Sequence, residues 1–229
     1  VTRRLVLFDI DGTLLSAGGV SGRCLAEALR EVFGTTGPME GYDFSGKTDP
    51  QIVRDLMTAA GFPGDEIDGR LPTTLGSYHA RMVASLRPTH VVAKVGVAAL
   101  VDRLSAEASV TLALLTGNLE PCARLKLAPL DLNDRFAFGA FGSDHEDRHR
   151  LPSVAVDRAL AATGHRFEGK RIVVVGDSIH DVRCGRDLGV RAVAVSSGRT
   201  SAEALAREEP DALLRDFGDT NASLDAILG

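Results

Sequence analysis

The sequence predicts an α/β protein: a doubly wound parallel sheet with an α-helical subdomain inserted after the first strand. Three observations predict it. Short apolar, β-branched runs alternate with helical patterns along most of the 229 residues. The runs lack polar alternation, as expected of strands covered on both faces. And residues 16–88 break the alternation, reading as helices with no comparable strand. The predicted division is therefore a core of residues 1–15 and 89–229 and a helical unit of residues 16–88.

Taken in order, the predicted strands are Leu5–Ile10, Val110–Leu115, Ile172–Val175, Arg191–Val195 and a weaker Ala212–Leu214. Helical patterns precede three of them: Val95–Leu104, Val154–Thr163 and Asp181–Leu188. Within the insertion the spacing predicts helices over Ser21–Phe33, Pro50–Ala60 and around Pro72–Leu86. Breaks are predicted at Gly34 to Gly41 and at Gly61 to Gly64, with Thr48 or Asp49 capping the second helix.

Composition narrows the function. Apolar residues make up 44% of the chain, enough for a substantial core, and a chain of this size buries about 70–75% of its unfolded surface. Lys and Arg number 26 against 31 Asp and Glu, a net charge of −5. No basic excess covers a phosphate backbone, so nucleic-acid binding is disfavoured. Cys24, Cys122 and Cys184 are odd in number and far apart, which fits a reducing compartment rather than a disulfide framework. The apolar run behind Arg3-Arg4 is short and carries Asp9, unlike a signal peptide, and no run is long enough to span a membrane. The expectation is a cytoplasmic protein, monomeric or homodimeric, with no membrane partner.

Chemistry concentrates at predicted strand ends. The first strand leads into Asp9-Ile10-Asp11-Gly12-Thr13, the second into Thr116-Gly117-Asn118, the third into Gly176-Asp177-Ser178-Ile179-His180-Asp181. In a parallel sheet the carboxyl ends of strands form the ligand-binding edge, so the three segments converge if the strands are parallel. Each piece alone has a plainer reading: an Asp after a strand is often a helix cap, and Asp181 suits a first helical turn. Together, carboxylates and a hydroxyl at one edge suit a hard divalent cation such as Mg²⁺.

In these segments the chain resembles the haloacid dehalogenase superfamily. Asp9 to Thr13 looks like its first motif, Thr116-Gly117-Asn118 its second, and Gly176-Asp177-Ser178 through Asp181 its fourth. The insertion resembles the helical cap of the phosphoglycolate-phosphatase-like branch. The resemblance implies a Rossmann-like core and a Mg²⁺-dependent phosphatase acting on a small phosphorylated metabolite, phosphoglycolate or a sugar phosphate. It implies Asp9 as nucleophile and Asp11 as general acid/base. It also implies Mg²⁺ held by Asp9, Asp177 and the Asp11 backbone carbonyl, with Asp181 behind them. Asp11 favours a phosphate ester, because the resemblance implies that dehalogenases lack it. Thr116 and its neighbours Gly117 and Asn118 are expected to bind the phosphoryl oxygens.

The family's third motif, a lysine, has no counterpart in Asp144-His145-Glu146-Asp147-Arg148-His149-Arg150-Leu151-Pro152. Arg150 and Arg148 are the candidates to neutralise phosphate in its place, and arginine can do so bidentately. Lys126 is a weaker substitute, expected to lie at the surface. Lys47, in a loop of the cap, is expected to contact substrate, with hinges at Leu15–Gly19 and Arg87–Thr89. A phosphosugar mutase using the same aspartates is the alternative.

Three further patterns fail on context. Gly41 to Thr48 spells a P-loop, the signature of an NTPase, but no apolar strand precedes it and Tyr42 and Phe44 are bulky for a phosphate loop. His145-Glu146-Asp147-Arg148-His149 spells a zinc-protease pattern, but Gly142 and Pro152 leave no long helix for it. Asp9 to Gly12 lacks the glycine and glutamate positions of a calcium loop.

Overall fold

The computed structural model describes residues 3–229. Strand β1 (Arg4–Phe8) is followed by β2 (Leu15–Ser16), then by helices α1 (Val20–Phe33), α2 (Asp49–Ala59) and α3 (Gly64–Ser85). The chain continues through β3 (Val92–Ala93), α4 (Val97–Ala106), β4 (Val110–Thr116), α5 (Glu120–Leu127) and β5 (Gly139–Phe141). It ends with α6 (Leu151–Thr163), β6 (Ile172–Gly176), α7 (Ile179–Cys184), β7 (Arg191–Val195), α8 (Ala202–Ala206), β8 (Ala212–Leu214) and α9 (Thr220–Leu228).

Six strands form one parallel sheet in the order β5-β4-β1-β6-β7-β8. Every pairing in it is parallel, as the unbroken apolar runs predict. β1 lies between β4 and β6, with Phe8 paired to Leu114 on one side and Val175 on the other. Two apolar clusters cover the sheet's faces. Val6, Phe8, Leu114, Val173 and Val175 pack on one side with Leu100, Leu104 and Phe136. Leu5, Leu7, Ala113, Leu115 and Val174 pack on the other with Leu151, Ala155 and Ala159 of α6. The strict alternation of β1 side chains between these clusters is the period of two of a strand buried on both faces. No helix among the described residues is long and apolar enough to cross a membrane.

Helices α1, α2 and α3 share a separate apolar cluster, including Leu25, Leu29, Val53, Leu56, Ile67 and Met82. Leu119 and Cys122, at the start of α5, join it from the side of the sheet. The two connections between helices and sheet run side by side as a small antiparallel ribbon, Leu15 opposite Ala93 and Ser16 opposite Val92.

Three features differ from the sequence expectation. α3 starts at Gly64 rather than near Pro72, and Pro72 lies inside it. Proline is commonest in the first turn of a helix, so Pro72 reads as a start; the true first turn carries Asp65 and Glu66, which suit the positive end of the helix dipole. α7 stops at Cys184, and a 3₁₀ turn at Arg186–Leu188 follows. Gly185 stands at the break with no room for a side chain, since a Cβ there would sit 2.3 Å from Val190 Cγ2. β5 is an edge strand of three residues, too short to leave a periodic signal.

Gly41 to Lys47 forms a loop and turn with no strand before it, so the P-loop pattern has no P-loop structure. His149 lies in a 3₁₀ turn and His145 outside any helix, so the zinc-protease pattern has no helix either.

Thr48 joins the helical unit to the sheet. Its hydroxyl caps α2 by accepting from the Gln51 N–H at 3.2 Å, and donates to the Glu146 carbonyl at 2.6 Å. The residue is fully buried. Thr48→Val keeps the shape and removes both bonds, so it is expected to lower unfolding free energy by about 1–2 kcal/mol. Urea denaturation measures this; an unchanged midpoint would contradict the assignment.

Candidate active site

The parallel register brings Thr116, the last residue of β4, to the same edge as Asp9 and Asp177, which lie just past the ends of the adjacent strands β1 and β6. β1 ends at Phe8, yet the Asp9 N–H still donates to the Val175 carbonyl at 3.0 Å. The chain then turns sharply: the Ile10 carbonyl accepts from Thr13, Leu14 and Leu15. The turn needs Gly12 at φ 91°, where a side chain would also strike the Asp177 carboxylate.

Asp9, Asp177 and Asp181 bring their oxygens within 4.8 Å of one another, all three residues buried. Buried like charges of this kind are costly without cations. Arg148 is the cation among them. It is 3% exposed, donates to Asp9 Oδ1 at 3.1 Å and to the Leu115 carbonyl at 3.2 Å, and bonds Asp181 Oδ1. The other Asp181 oxygen accepts from the Ser178 N–H at 3.0 Å and the Ser178 hydroxyl at 2.6 Å, closing a capping box at the start of α7. Both oxygens of Asp181 are thus occupied.

Asp177 is held differently. The Thr13 hydroxyl donates to its Oδ1 at 3.2 Å, and no cation among the described residues bonds it. Gly12 and Gly198 press their backbones against its carboxylate, since a Cβ at either would lie within 2.4 Å of an Asp177 oxygen. Burial and the Asp181 charge push its pKa up to about 7. Burial and Asp181 also raise the pKa of Asp9, although Arg148 opposes them. Two hard oxygen donors short of positive charge are the donor set a divalent cation fits.

On the β4 side three side chains bond one another in a closed triangle. Lys126 Nζ donates to Asp11 Oδ2 at 2.6 Å and to Asn118 Oδ1 at 2.5 Å, while Asn118 Nδ2 donates to the same Asp11 oxygen at 2.8 Å. Asn118 Nδ2 also donates to the Thr116 hydroxyl at 2.7 Å. Lys126 is 1% exposed, which corrects the expectation of a surface lysine. The signal was available: Cys122, Ala123, Lys126 and Leu127 form one buried face of α5 at helical spacing. Burial works against its charge, but Asp11 and Asp49 hold its pKa above the ordinary lysine value.

Asp49 reaches this triangle from α2. Its N–H donates to the Gly117 carbonyl at 2.8 Å, and its carboxylate accepts from the Leu119 N–H at 2.8 Å. Lys47 lines the same cleft, but its ammonium donates to the Tyr42 hydroxyl at 2.8 Å and to Asp55 at 2.9 Å. Arg150 is exposed and lines no part of the cleft, so of the two arginine candidates the structure brings only Arg148 to the carboxylates. The cleft between the helices and the sheet edge has a volume of about 650 Å³ and is lined by Asp9, Asp11, Thr116, Gly117, Asn118 and Asp177, among others.

Burial raises the Asp49 pKa to about 6, against 3.8 for an ordinary Asp, with Lys126 opposing. Between these values the unfolded chain releases a proton that the folded chain keeps, so this group destabilises the fold increasingly as pH rises through the window. The stability of Asp49→Asn relative to wild type is therefore expected to climb by about 2–3 kcal/mol from pH 4 to 6.5 and then level. Denaturation at a series of pH values checks this; a constant difference would contradict a raised pKa.

Comparison with known proteins agrees with the geometry. The phosphoglycolate phosphatase of Agrobacterium fabrum is 28% identical, the match covering 96% of this chain and 91% of that protein. The phosphoglycolate phosphatase of Pectobacterium atrosepticum is 27% identical over 94% of this chain and 90% of its own. Among solved structures, a hydrolase from Pseudomonas syringae superposes with TM-score 0.72 at 19% identity, over 98% of this chain and 99% of that one. CbbY from Rhodobacter sphaeroides in complex with phosphate superposes with TM-score 0.66 at 20% identity, over 98% and 100%. Residues 6–186 match the model of the haloacid dehalogenase-like hydrolases, and the chain belongs to that family.

Proposed function

We propose that this hydrolase is a Mg²⁺-dependent phosphatase that cleaves a small phosphate monoester, phosphoglycolate or a short sugar phosphate, through an aspartyl-phosphate on Asp9. One observation carries the reading. Asp9 lies at the sheet edge with Arg148 bonding only one of its oxygens, and Asp11, two residues on, lines the same cleft. A carboxylate so placed can attack phosphorus, and its neighbour can move the protons.

The first step forms the bond from Asp9 oxygen to phosphorus and breaks the bond from phosphorus to the ester oxygen. The departing alkoxide takes a proton from Asp11. In the second step a water loses a proton to Asp11 and attacks the aspartyl-phosphate, releasing inorganic phosphate and restoring both carboxyl groups. Thr116, Gly117, Asn118 and Arg148 supply donors and charge to the phosphoryl oxygens. The carboxylates of Asp9 and Asp177 and the Asp11 carbonyl would hold Mg²⁺, which when bound offsets the repulsion between the anionic nucleophile and the phosphate. Asp181 supports them by fixing Arg148 and the start of α7.

Residues 16–88 serve as a cap, hinged at the ribbon of β2 and β3, with Lys47 among the residues that line the cleft from it. The full-length similarity to two phosphoglycolate phosphatases supports the substrate class.

Phosphate release from a panel of phosphometabolites tests the proposal. Asp9→Asn is expected to lower turnover on the order of 10³-fold or more while the chain stays folded by circular dichroism; retained activity would refute the nucleophile. Asp177→Ala is expected to raise the Mg²⁺ concentration needed for half-maximal activity by about tenfold or more; an unchanged titration would exclude direct ligation. Product analysis with a sugar phosphate separates hydrolysis from phosphoryl transfer back to sugar, the mutase outcome.

A further inference from the structure

We infer that Lys126 is a positioning residue for Asp11: with Asn118 it pins one oxygen of the Asp11 carboxylate and keeps the other for the leaving group. The inference rests on the phosphatase reading and extends it to a side chain outside the motifs discussed above.

The geometry is specific to one oxygen. Lys126 Nζ and Asn118 Nδ2 both donate to Asp11 Oδ2, at 2.6 and 2.8 Å. Oδ1 accepts no protein hydrogen bond among the described residues. Asp11 itself needs the restraint, because its side chain is 44% exposed while the ammonium beside it is almost fully buried. A half-exposed carboxylate on a turn samples several rotamers, and each wrong one costs the acid its reach. Two charge-assisted or amide donors converging on one oxygen remove that freedom.

Lys126 is braced in turn. Asn118 Oδ1 accepts from it at 2.5 Å, and Asn118 is fixed by the Thr116 hydroxyl at 2.7 Å. The backbone supports the triangle too, since Gly117, between Thr116 and Asn118, accepts from the Asp49 N–H of the cap. A lysine retained only for packing would not present its ammonium to the carboxylate that moves the protons.

The test uses kcat/KM, which reports the phosphoryl-transferring step. Alkyl phosphates need a proton at the leaving oxygen; p-nitrophenyl phosphate hardly does. Lys126→Met is expected to lose kcat/KM on an alkyl phosphate more severely than on p-nitrophenyl phosphate, by on the order of tenfold. Lys126→Gln, which keeps an amide donor but removes the ammonium, is expected to show a smaller bias of the same sign and covers the case in which the methionine variant does not fold. Combining Lys126→Met with Asp11→Asn is expected to add little beyond Asp11→Asn alone. Equal losses on both substrates, or full additivity in the double variant, would reduce Lys126 to a structural role and overturn the inference. Absence of activity in the wild type on every phosphate ester would instead overturn the phosphatase reading.

Discussion

The architecture is organised by the repulsion among carboxylates that a parallel sheet delivers to one edge. Asp9, Asp177 and Asp181 are each at most 6% exposed, and water does little to screen them. Two buried cations stand on opposite flanks of this edge. Arg148 spans Asp9 and Asp181 on the α7 side, and Lys126 holds Asp11 on the α5 side. Asp177 has neither. Much of the local sequence serves this balance: Ser178 to finish Asp181, Thr13 to reach Asp177, Asn118 to tie Lys126 to Asp11.

The balance also suits an arginine at position 148. One Arg148 nitrogen contacts two carboxylates and the Leu115 carbonyl. A guanidinium retains its charge through burial of this degree, because its acidic neighbours and its own delocalisation both favour the protonated form. The 3₁₀ turn at Arg148–Arg150, started by the Asp147 side chain accepting from the His149 N–H, delivers Arg148 to the site and leaves Arg150 in solvent.

Most of the sheet was legible in the sequence, since strands buried on both faces write themselves as unbroken apolar runs. The convergence of Asp9, Thr116 and Asp177 was legible for the same reason: parallel strands fix which ends share an edge. Charged residues whose role depends on tertiary position were not. Arg148 and Arg150 are separated by one residue and a turn of backbone, and local spacing contains nothing that ranks them. Lys126 was readable in principle from the buried face of α5, but a lysine at the end of a helix ordinarily satisfies the helix dipole in solvent. Pro72 misled because interior proline is rare, and α3 tolerates it at the cost of one hydrogen bond.

Part of the seam between the helices and the sheet edge is backbone packed with no room for a side chain. A Cβ at Gly117 would lie 2.0 Å from the Lys47 carbonyl oxygen, and one at Gly142 2.0 Å from the Gly117 carbonyl oxygen. A Cβ at Gly46 would lie 2.2 Å from the Ser178 hydroxyl. Such a joint admits no added side chain at Gly46, Gly117 or Gly142, so evolutionary drift in substrate preference is channelled away from these positions. Divergence is left to the far wall of the cleft, where Arg23, Met39 and Phe44 offer bulk and charge that can change without prising the two halves apart.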